Sequence, residues 1–114
     1  MYIHNATFMI DAGKGGEFLE WFAPLARKSC KLHVYSGGEE IEVVQKSHLS
    51  VLREAQGHRP GDGEPLSVAF QVEFNDMVLL HEWREKRLRP LVSAFERRFA
   101  PEAMVFTSVF ESIF

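Results

Sequence analysis

Cys30 is the only cysteine in the 114 residues. With no partner for an intrachain disulfide and no companions for a thiolate metal cage, it fits a reducing compartment, so a cytoplasmic location is expected. No run approaches the roughly 18 apolar residues that a membrane-spanning helix needs. The opening residues alternate like a strand and show no charged region leading into an apolar run, so no signal peptide is expected. Excess positive charge is also missing. The net charge is −3, which gives no electrostatic reason to expect nucleic acid or an anionic membrane as partner. No Walker loop, GxSxG elbow or GxGxxG fingerprint occurs. The five histidines (His4, His33, His48, His58 and His81) lack HxH or HxxxH spacing. A site assembled across strands by His4 and His48 is the one metal arrangement to weigh; neither metal nor cofactor is expected.

What is present is a globular composition, 46% hydrophobic and 25% charged, with ten Phe and two Trp. That aromatic content is too rich for a disordered chain, and the length fits a single domain over residues 1–114. Tyr2 to Ile10 reads as a strand, with Tyr2, His4, Ala6, Phe8 and Ile10 on one face and Ile3, Asn5, Thr7 and Met9 on the other. Asp11 to Gly16 is a turn. The spacing of Phe18, Trp21, Phe22 and Leu25 predicts a helix to about Ser29, kinked or restarted at Pro24. Lys31 to Lys46 is ambiguous but suits a hairpin about Gly37-Gly38; His48 to Arg53 is a further strand, continuous with Ile41–Gln45 if a bulge joins them. Ala55 to Pro65, with three Gly and two Pro, is expected to be an exposed loop.

Leu66 to Phe74 is the clearest strand, with Leu66, Val68, Phe70, Val72 and Phe74 opposed to Ser67, Ala69, Gln71 and Glu73. Asn75 or Asp76 can cap a helix running to about Phe99. Its stripe of Met77, Leu80, Leu88, Leu91, Phe95 and Phe99 is interrupted at Arg84, and a kink is expected near Pro90. Ala103 to Phe114 is a last strand. The order β-α-β-β-α-β predicts an α+β, ferredoxin-like sandwich: a four-stranded antiparallel sheet with two helices on one face. The other face would carry Ile3, Met9, Ala69, Val105, Val109 and Ile113 among Asn5, Thr7, Gln71, Glu73, Thr107 and Glu111. So large an apolar patch is unusual on a monomer, and a second copy packed sheet to sheet is the expected cover.

Several of these residues also match a known pattern. Ile3-His4-Asn5-Ala6-Thr7 resembles the tyrosine-asparagine-valine-threonine opening of an uncharacterised bacterial domain family in the dimeric α/β-barrel superfamily, with His4 where that family has tyrosine. Ser67-Val68-Ala69-Phe70-Gln71 resembles its third strand, which carries a glutamine at the place of Gln71. Arg98-Phe99, with Phe106-Thr107 through Phe110-Glu111, resembles its closing helix-to-strand segment. The likeness covers the first 25 residues and the last 50, and implies fold and homodimer; the family has no assigned chemistry. Some relatives in the superfamily are cofactor-independent monooxygenases or haem degraders, the latter with an asparagine on the first strand and a tryptophan and histidine on the second helix. Asn5 and Trp83 are similar in kind. No histidine follows Trp83 by three turns, and His81 is turned away by roughly 200°, so Trp83 reads as a packing residue.

The ligand-binding candidates are Asn5, Thr7, Gln71, Glu73 and Glu111, donors and acceptors in an apolar cleft of the kind that orients a small organic molecule. The competing reading is a polar seam within a dimer interface, in a non-catalytic dimerisation or partner-binding module. Glu73 and Glu111 would need to face each other to act as an acid/base pair. Cys30 has Arg27, Lys28 and Lys31 nearby but reads as a buried, inert thiol. Arg84, Lys86, Arg87, Arg89, Arg97 and Arg98, interleaved with Glu82, Glu85 and Glu96, read as a solvated helix face. RNA-recognition motifs share this element order, but the open face of their third strand needs a basic residue, a glycine and stacking aromatics. Ser67, Ala69, Gln71 and Glu73 supply none of these.

Overall fold

Alternation of apolar and polar residues along Tyr2–Ile10 (β1) and Leu66–Phe74 (β5) gives two long strands, each burying every second side chain. They pair antiparallel at the centre of a four-stranded sheet of order β4-β5-β1-β6, with Ser47–Val51 as β4 and Met104–Glu111 as β6. The computed structural model describes residues 1–11, 13–52, 65–101 and 103–114. The loop expected over 55–65 lies outside the described residues except for Pro65. The sheet order and the two helical crossovers are those of a ferredoxin-like α+β fold.

The first crossover, α1, runs unbroken from Gly15 to Ser29. Pro24 neither ends nor restarts it: that residue sits on the exposed side, while Phe18, Phe22 and Ala26 hold the helix on the sheet. Between α1 and β4 the chain forms a separate hairpin, β2 (Lys31–Ser36) and β3 (Glu39–Val44), with Gly37 and Gly38 both at positive φ in its two-residue turn. Strand β4 therefore does not continue β3 through a bulge. It belongs to the main sheet, and Lys46 already faces Glu73 there through a backbone hydrogen bond.

The second crossover begins where the Asp76 carboxylate accepts the Leu79 N–H, capping α2 (Met77–Trp83). A π-helical turn, Arg84–Leu88, follows, and α3 (Arg89–Phe99) completes the arm with Pro90 in its first turn. The wide turn explains the interruption in the apolar stripe. Trp83 and Leu88 are both buried but five residues apart, and a regular α-helix would set them roughly 140° apart. The Arg89 N–H reaches back five residues to the Arg84 carbonyl, and the phase is restored.

Both crossovers pack on one side of the sheet through aromatic rings. Phe8 meets Phe18, Phe22 and Phe95 at 5.5, 4.7 and 4.9 Å between centroids. Phe70 and Phe74 close on Trp83. Cys30 is buried, its thiol directed to the Ala26 carbonyl. The basic face of the second crossover is solvated, with Lys86–Glu82 and Arg89–Glu85 pairs one turn apart. No helix among the described residues is long and apolar enough to cross a membrane.

Candidate functional site

Residues directly opposite one another in an antiparallel ladder point to the same face, so the register maps the side of the sheet that no helix covers. Asn5 pairs with Gln71, which pairs with His48, and on its other side Asn5 pairs with Ser108. One polar row, His48–Gln71–Asn5–Ser108, thus crosses all four strands. The next row is Ser50, Ala69, Thr7 and Phe106. On the other side Glu73, Ile3 and Phe110 line up, and Ser67, Met9 and Met104 form the end row.

Four of the five candidates, Asn5, Thr7, Gln71 and Glu73, therefore share this face and are half-buried. Asn5 donates through Nδ2 to the Thr7 hydroxyl at 3.0 Å, which fixes its amide along the strand. Glu73 keeps one carboxylate oxygen, Oε2, out of water with no hydrogen-bond partner; the Lys46 ammonium stands 3.8 Å away, near enough to attract but not to bond. Glu111 does not join them. It pairs with Tyr2 on the opposite, helix-covered face, so no Glu73–Glu111 acid/base pair exists.

The last strand is turned over relative to the sequence reading. Val105, Thr107 and Val109 lie opposite Phe8, Ala6 and His4 and face the helices; Met104, Phe106, Ser108 and Phe110 take the open face. The strand is apolar on both sides, so alternation alone does not decide which side meets the core. Pairing with β1 does. His48 and Ser108 are the members of the polar row that sequence reasoning misses, because membership depends on register and not on local pattern. His4 and His48 stand on opposite faces and cannot share an ion, and no metal-binding cluster occurs among the described residues.

The helix-covered face holds a second polar anomaly. His4 is fully buried with both ring nitrogens unpartnered, its ring set edgewise to Trp83 at 5.3 Å. Burial, helped by the positive charge of Arg84, lowers its pKa from 6.5 to about 4, so the ring is neutral at physiological pH. Trp83 is a packing residue that spends its indole N–H on the Ser29 carbonyl at 3.0 Å. The chain matches no protein-family model, no curated protein and no solved structure, so its own residues carry the functional argument.

Proposed function

We propose that this protein works as a homodimer, sheet against sheet, and holds a small organic molecule in the cleft between the two open faces. The carrying observation is the composition of that face. Met104, Phe106 and Phe110 are each 53% exposed on β6, beside a polar row that spans the sheet. Three large apolar side chains half in water on one strand favour a protein cover, and self-association through a two-fold axis is the simplest one. The apolar strip supports the pairing, and the polar row is left to line the space between copies.

Within that space Gln71 offers an amide, His48 an imidazole, Ser108 a hydroxyl and Glu73 a carboxylate. This mixture orients a ligand that carries both donors and acceptors on an apolar frame. A single buried thiol supports a reducing, cytoplasmic setting. Light scattering should give twice the 13.1 kDa chain mass, and Phe106→Lys should return the monomer. A thermal-shift screen with flavins, quinones and acidic metabolites should raise the melting temperature for at least one class, since binding to the folded state stabilises it by mass action. Gln71→Leu should fold normally and lose that shift. A dimer that answers to no ligand would favour the dimerisation module. A stable monomer would end the proposal.

A further inference from the structure

His4 is a residue this fold would be better without. Ala6, Phe8 and Ile10, on the same side of the same strand, are all apolar and buried. An imidazole among them with neither nitrogen bonded is a buried polar group that has given up water for nothing. Its ladder neighbours are Val72 on β5 and Val109 on β6, and Trp83 has already committed its N–H elsewhere. A position that weakens the core with no internal return is where a functional reason should be sought.

A cleft lies beside it. Arg84, Glu85, Leu88, Arg89 and Val92 from the π turn and α3, with Thr107 from β6, line a shallow groove of about 190 Å³ that is largely open to solvent. Thr107 pairs with Ala6, one step along the ladder from the His4–Val109 pair on the same face. Arg84 links the two features, since it lines the cleft and its charge acts on the His4 ring. The π turn places Arg84 and Arg89 at the two ends of one widened turn. Arg89 is bound to the Glu85 carboxylate at 2.7 Å. Arg84 instead donates to His81 Nδ1 at 2.7 Å. Among the described residues no carboxylate pairs with Arg84, so two guanidinium groups and one carboxylate leave the cleft positive over the apolar Leu88 and Val92.

We propose that this cleft is a second ligand site, on the helix side of the sheet, for a small organic monocarboxylate with an apolar body. The carboxylate pairs with Arg84 and accepts from the Thr107 hydroxyl, the apolar part lies on Leu88 and Val92, and the buried His4 ring, outside the lining, senses the bound charge through Arg84. The volume is below that of sites for drug-sized ligands, so the occupant is small. The site does not depend on dimerisation or on the open face.

Benzoate is the probe and benzamide its neutral counterpart, both titrated into the full chain while the His4 ring is followed by NMR. Benzoate should shift the His4 and Thr107 signals saturably and raise the His4 pKa, because a seated anion offsets the Arg84 charge. Benzamide should bind about tenfold more weakly or not at all, as expected when a charge-assisted pair is lost. Arg84→Gln should weaken benzoate by about tenfold with an unchanged circular dichroism spectrum; Arg84→Met, which keeps the apolar stem and removes the charge, is the second variant should the first fail to fold. Equal binding of benzoate and benzamide, a His4 ring that ignores benzoate, or undiminished binding in a folded arginine variant would each overturn the proposal.

Discussion

Replacing His4 with leucine removes a buried base whose pKa the fold holds near 4 instead of 6.5, chiefly by desolvation and secondarily through Arg84. The folded protein therefore refuses a proton that the unfolded chain accepts between those two values. Stability from this group is complete above pH 6.5, falls as the pH drops, and is fully lost below about pH 4. At about 1.4 kcal/mol per pH unit the difference amounts to about 3 kcal/mol. That is a large part of the roughly 5–15 kcal/mol that holds a domain of this kind together, and it corresponds to about 12 °C in melting temperature. Urea melts of wild type and His4→Leu at pH 7 and pH 4 isolate the effect, because the carboxylates that titrate over the same interval are common to both. Wild type should lose about 3 kcal/mol more than the variant on acidification. At pH 7 the variant should be at least as stable as wild type, having shed an unpartnered polar group. Parallel acid losses, within about 0.5 kcal/mol of each other, would refute the reasoning, since His4 would then have a partner or water in the fold.

Other substitutions test other parts of the structure. Phe8→Ala, at the centre of the ring cluster, should cost about 3–5 kcal/mol in denaturant melts. Asp76→Ala removes the cap of the second crossover and should cost about 1 kcal/mol. Phe110→Asp should halve the mass read by light scattering while leaving the far-UV spectrum unchanged, because its side chain makes no part of the helix-side core.

Period-two alternation makes the central strands readable from the chain alone. Along Leu66–Phe74 one face is wholly apolar, and along Tyr2–Ile10, apolar on both sides, one face sets Ala6, Phe8 and Ile10 against Asn5 and Thr7 on the other, so the helix-covered sides follow. Four of the five site residues fall on the open face for the same reason. The closing strand defeats this reading because Met104, Phe106 and Phe110 match Val105 and Val109 in hydrophobicity; its orientation is set by bonds to a strand at the far end of the chain. The hairpin of β2 and β3 is legible from Gly37-Gly38, whereas its separation from the main sheet is not, since strand partnership is a tertiary property. The break at Arg84 is visible as a fault in the apolar stripe. Its meaning, a widened turn that resets the phase, emerges only from Trp83 and Leu88 both reaching the core.

That widened turn carries one surplus residue. Excising a single exposed position from it, such as Lys86, would leave Trp83 and the following leucine four apart, a spacing an ordinary α-helix satisfies. The two halves of the second crossover could then join as one uninterrupted rod with the aromatic core unchanged. The hollow beside β6 would shrink as the backbone tightened, so the extra amino acid serves the architecture less than it serves the opening it props apart.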